Sequence, residues 1–94
     1  MKIRGFEWDA GNQQKCQKHG VSIEEIEGVF WGTDVWVTPD IKHSTIEDRF
    51  IAIRCVNGRY VFVVFIERNK FIRPVSARYM HKEEIDYYEE KISH

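Results

Sequence analysis

The sequence predicts an α+β domain: two N-terminal helices, then a four-stranded antiparallel sheet, then a C-terminal helix, filling residues 1–94 as one unit. Three observations predict it. Ser22 and Glu25 stand at capping-box spacing ahead of an apolar stripe, Ile23, Ile26 and Phe30. Asn57-Gly58 separates two β-rich runs, the strongest short-range hairpin signal, because both residues tolerate positive φ. The tail "HKEEIDYYEEKI" places Ile85, Tyr88 and Ile92 on one helical face. A chain of 94 residues with 43% hydrophobic content can bury one small core and has no room for a second domain.

The first element, "FEWDAGNQQKCQKHG", reads as a short strand or lead-in followed by a helix. Asp9 is its N-cap and Gly20 its C′ glycine. Lys18 and His19 then fall in the last turn, where cations suit the helix dipole. A second helix spans 22–31, with Val21 and Ile26 as a hydrophobic staple, and Gly32 ends it. "DVWVTP" is a short strand closed by Pro39, and the polar loop "DIKHSTIED" follows. "RFIAIRCV", "RYVFVVFIE" and "FIRPVSAR" are the remaining strands, the last two joined through "RNK".

Turn length sets which side chains are neighbours. A two-residue Asn57-Gly58 turn places Val56 opposite Arg59 and Arg54 opposite Val61. If Asn69-Lys70 is also a two-residue turn, Val61 lies opposite Arg78 and Val63 opposite Ser76. One face then carries Ile51, Ile53, Cys55, Tyr60, Phe62, Val64, Ile66, Val75 and Ala77, and is the face expected beneath the helices. The other holds Arg54, Arg78 and Ser76 around Val61, Val63 and Phe65. A three-residue second loop would instead bring Arg73 to that face and remove Arg78.

Composition narrows the function. The formal net charge is −1, so no global positive field draws in nucleic acid, and any polyanion site must be a local cluster. No apolar run approaches the roughly 18 residues of a membrane span, and the first residues resemble no signal peptide. Cys16 and Cys55 read as two buried thiols in a cytoplasmic protein. Glycine-loop, GxSxG and HExxH templates are absent, and the histidines and cysteines lack zinc-finger spacing, so neither a cofactor nor a metal is expected. Trp8, Trp31 and Trp36 read as packing residues.

The informative stretch is "KFIRPVSARYMHKEE", which gathers Arg73, Ser76, Arg78, Tyr79 and His81 where a strand runs into a helix. Neighbouring guanidinium groups repel unless an anion joins them, and a phosphodiester accepts two parallel hydrogen bonds from each. Arginine also stabilises charge on a pentacoordinate phosphorus. His81 could move a proton in attack by a ribose 2′-hydroxyl. The plainer alternative pairs Arg54 and Arg78 with carboxylates of the acidic loop "EDR", Glu47 and Asp48, or of the final helix, and leaves Glu67 and Arg68 as turn solvation.

Three segments in matching order, "FEWDAGNQQKCQKHGVSIEEIEGVF", "EDRFIAIRCVNGRYVFVVFIER" and "IRPVSARYMHKEE", resemble the BrnT toxin family. The resemblance implies a RelE-like fold and metal-independent RNA cleavage within a bacterial type II toxin–antitoxin module. It implies three partners. They are an RNA substrate (messenger or ribosome-associated), a BrnA-like antitoxin binding a toxin dimer within a heterotetramer, and promoter DNA reached only through that antitoxin. Lys18-His19-Gly20-Val21 matches the family's first signature. Glu67-Arg68, Arg73 and Ser76-Ala77-Arg78 match its last two strands. The expected catalytic set is therefore Arg73, Arg78, His81, Glu67 and Ser76. The expected RNA contacts are Lys18, His19, Arg54, Arg68 and Tyr79. The competing reading is a non-catalytic interaction module, or a degenerate toxin that only binds its antitoxin.

Overall fold

The structure, a computed structural model, describes residues 2–43 and 47–92; residues 44–46 of the expected polar loop lie outside the described residues. The sheet has five strands, not four, and it is mixed. Strands β1 (Gly5–Phe6), β2 (Trp36–Pro39), β3 (Phe50–Val56), β4 (Arg59–Arg68) and β5 (Phe71–Tyr79) lie in the order β1-β5-β4-β3-β2. β1 runs parallel to β5, and the other neighbours are antiparallel. The expected four-stranded antiparallel sheet is thus corrected. Two residues carry no readable periodicity, and the pairing of β1 depends on a partner near the other end of the chain. The Arg4 and Glu7 N–H groups donate to the Lys70 and Ile72 carbonyls at 2.7 and 2.8 Å, which fixes it there.

Helices α1 (Ala10–Gln17) and α2 (Ile23–Trp31) each begin with a reciprocal cap. Asp9 accepts the Asn12 N–H at 3.0 Å while Asn12 Oδ1 accepts the Asp9 N–H at 2.7 Å, and Ser22 and Glu25 exchange bonds of 3.1 Å. α1 ends at Gln17 with Lys18 as its C-cap, so Lys18 and His19 lie past the last turn, and the left-handed residue is Gly20 at φ +90°. A single 3₁₀ turn, Ile41–His43, follows β2, and helix α3 (Lys82–Ile92) closes the chain.

Both hairpin turns form with two residues, which settles the second turn that the sequence left open. Asn57 and Gly58 have φ of +52° and +81°, and Asn69 and Lys70 have +52° and +67°. Arg54 faces Val61 and Arg68 faces Phe71. Beyond that the register departs from expectation. A bulge between Val64 and Phe65 pairs Phe65 with Pro74 but Val64 with Ser76, leaving Val75 as the extra residue. Pro74 has no N–H to give the ladder, which is where a sheet tolerates such an insertion. Val61 consequently lies opposite Tyr79, Val63 opposite Ala77, and Phe62 opposite Arg78. The one-residue shift sends Ser76 and Arg78 to the opposite face from Arg54.

The covered face is also the reverse of the expected one. α1 packs on β5 and α2 on β3 and β4, over Ala52, Val61, Val63, Phe65 and Ala77, all at most 2% exposed. Phe30 sets its ring edge-on to Phe65 at 4.9 Å, and Ile26, Val29 and Cys16 complete this core. Strands such as "VFVVFI" are apolar on both faces, so alternation alone cannot say which side the helices take. The other face, with Ile51, Ile53 and Phe62, is met by α3, which buries only Tyr88. Ile92, expected on its apolar face, is 51% exposed, and Cys55 is exposed rather than buried.

Candidate functional site

The structure does not gather the expected site residues into one pocket; it distributes them between the two ends of the sheet. Glu67, Arg68 and Arg73 lie toward the Asn69-Lys70 turn. Tyr79 and His81 lie at the opposite end, beside the Asn57-Gly58 hairpin, and Arg78 lies next to them. Arg73 and Tyr79 are separated along β5 by roughly 20 Å, at about 3.3 Å per strand residue.

At the turn end Arg68 and Arg73 each have a carboxylate. Arg68 forks onto Glu47 with two bonds of 2.7 Å. Arg73 meets Asp9 at 2.8 Å beside a cleft of about 220 Å³ that Lys15 and Asn12 also line. The Asn12 N–H, and then Arg73, hold the Asp9 carboxyl below its ordinary value. Glu67 is exposed and accepts the Lys70 N–H at 3.3 Å. Ser76, in mid-strand, lies half-buried opposite Val64.

The hairpin end has two sides. On the side of α3, Arg78 forks onto Glu84 with two bonds of 2.7 Å, and its guanidinium lies 4.3 Å from the Phe62 ring centroid. Glu84 Oε1 also accepts the His81 N–H at 2.9 Å, so the same carboxylate caps α3 and binds the arginine. Arg78 and then this N–H pull the Glu84 carboxyl down to about 2. The His81 residue itself is exposed. On this side the groove between sheet and α3, about 420 Å³, is mainly apolar and lined by Trp36, Ile51, Ile53, Phe62, Met80 and Tyr87.

On the side of α2, the Tyr79 hydroxyl donates to Glu25 Oε1 at 2.7 Å and lies 3.4 Å from the Gly20 carbonyl. Lys18 and His19, both exposed, immediately precede that glycine. The Glu25 carboxylate raises the Tyr79 pKa. Burial pushes Glu25 upward, but the Ser22 and Tyr79 bonds outweigh it, and the group sits below its ordinary value. Arg59 lies over the Tyr79 ring, 3.4 Å from its centroid. Arg54, on the same face, is committed elsewhere: it binds Asp34 at 2.6 Å and the Gly28 carbonyl at 2.7 Å.

Sequence reasoning did not single out three participants. A final-helix partner for Arg78 was among its alternatives, and Glu84 was legible as that partner, three residues after His81 at capping spacing. Glu25 was legible only as a cap, since its second partner comes from a distant strand. Arg59 carried no local signal beyond its place after the turn. Chemically, the hairpin end presents hydroxyl- and imidazole-bearing residues (Tyr79, His19 and His81), two carboxylates held ionised and several cations around the end of β5, a set able to bind a phosphodiester and move protons.

Comparison with known proteins bears on what this set serves. A search of curated proteins gives no match. The family model described as the ribonuclease toxin BrnT of type II toxin–antitoxin systems matches residues 8–84, which takes in both ends of the sheet, α1, α2 and the start of α3. The chain belongs to the BrnT family of type II toxin–antitoxin ribonuclease toxins.

Proposed function

We propose that this chain is an endoribonuclease toxin that cleaves RNA by attack of a ribose 2′-hydroxyl on the adjacent phosphorus, without a metal ion, and that a BrnA-like antitoxin neutralises it. The family match over residues 8–84 carries this reading. The geometry favours the hairpin end as the place of action, because Lys18, His19 and Tyr79 on its α2 side and Arg78 and His81 on its α3 side all lie there. In this account Arg78 stabilises the phosphorane, and His81 moves a proton at the 2′-oxygen or the leaving 5′-oxygen. Lys18, His19 and Tyr79 hold the strand, and the products end in a cyclic phosphate. Arg73, Arg68 and Glu67, remote from this end, serve the fold and the flanking RNA rather than the reacting phosphate. A heterotetramer built on a toxin dimer is the assembly proposed with the antitoxin, which would reach promoter DNA on the toxin's behalf.

The test is incubation of purified protein with RNA in the presence of a chelator, followed by mapping of the product ends. Cleavage with 2′,3′-cyclic phosphate ends is expected. Arg78→Ala should slow it roughly a hundredfold, since one lost charge contact to the transition state is worth about 3 kcal/mol.

One observation favours a second reading. Arg54, Arg68, Arg73 and Arg78 are each paired with a carboxylate, so a phosphate reaching Arg78 must exchange with Glu84. A toxin that keeps its antitoxin surface but has lost cleavage would show this arrangement, and intact RNA in the same assay would select it.

A further inference from the structure

Arg59 differs from the four paired arginines. It is exposed, and among the described residues it makes no ion pair. Its backbone is fixed, because it follows Gly58 at φ +81° and lies opposite Val56 at the mouth of a two-residue hairpin. Its side chain is fixed as well, by the stack on Tyr79. A stack of this kind holds a guanidinium by one face and uses none of its five N–H donors. The nearby carboxylate, Glu25, already accepts the Ser22 N–H and the Tyr79 hydroxyl, which leaves Arg59 to act on it only through space. A positioned cation with unspent donors, on the same rim as Lys18 and His19, is built to receive an anion from outside the chain.

Resting on the ribonuclease reading, we infer that Arg59 is a backbone-phosphate contact of the RNA, pre-positioned by Tyr79. The chemistry is a phosphodiester oxygen, read without regard to base. Tyr79 is the positioning residue: its hydroxyl is tied to Glu25, so the ring cannot turn away and the guanidinium keeps its place.

The test measures binding of a 2′-O-methyl RNA oligonucleotide, which lacks the attacking hydroxyl, by fluorescence anisotropy over a salt series. Arg59→Ala should weaken binding about tenfold at low salt. It should also flatten the slope of log K against log salt by about 0.7, the contribution of one phosphate contact to a single strand. Arg59→Lys should keep the slope, and a merely structural role would lower the melting temperature without changing it. Arg59→Ala with wild-type affinity and slope overturns the inference while RNA cleavage by the wild type stands. Wild-type protein that neither binds nor cleaves RNA overturns both.

Discussion

Cys16 and Cys55 were indistinguishable in the sequence, yet the fold gives them opposite chemistry. Cys16 is fully buried on the inner face of α1, and burial pushes its thiol up to about 11. Cys55 is exposed on β3. An aromatic disulfide reagent should therefore titrate one thiol in the native protein and two after denaturation. Asn12 makes a similar point about polar groups. Buried at 6% exposure, it donates to the Glu7 and Pro74 carbonyls at 2.9 and 3.0 Å, tying α1 to the strand bulge. Asn12→Ala leaves both carbonyls without that donor and should cost about 2–3 kcal/mol, a fall of roughly 10 °C or more in melting temperature. The sequence showed Asp9 as a cap but gave no hint that its partner also bridges to β5, because that contact spans most of the chain.

Among the elements, α3 is held most lightly. Tyr88 is its one buried side chain, wedged edge-on against Trp36 and Tyr60, and polar bonds from Arg78 to Glu84 and from Tyr60 to Glu89 do the rest. The Glu84 carboxyl titrates near 4.5 when unfolded and about 2 in place. Its contribution is fully present above pH 4.5 and disappears as pH falls toward 2. Melting temperatures across that window should fall more steeply for the wild type than for Glu84→Gln; parallel curves would show that the pair does not anchor α3. The two N-terminal helix starts and the first turn were legible: the Ser22–Glu25 box, the Asp9 cap and Asn57-Gly58 stand where short-range chemistry puts them, whereas the length of the second turn was open. The bulge at Val75 was not, although Pro74 marks the place. A proline in a strand permits a register shift without dictating one, and a single shift decided which face received Ser76 and Arg78.

For the whole molecule, the near-neutral charge of −1 is visible as local pairing: Arg54, Arg68, Arg73 and Arg78 meet carboxylates, whereas Arg59 is held by a ring. The family was readable because its motifs are contiguous in sequence. The assembled site was not, since the sheet distributes those motifs between two ends separated by the length of β5. That distribution makes the central claim, RNA cleavage at the hairpin end, directly testable by induced expression in bacteria with growth and RNA integrity followed together. Wild-type protein is predicted to arrest growth and fragment RNA. Arg78→Ala, which also loses the Glu84 pair, and the double change Lys18→Ala with His19→Ala should relieve both effects. Glu84→Gln serves as the control for the loosened α3, and Arg68→Ala at the far end should leave both effects intact. Arrest and fragmentation that persist in both hairpin-end variants, or that vanish only with Arg68, would contradict the account.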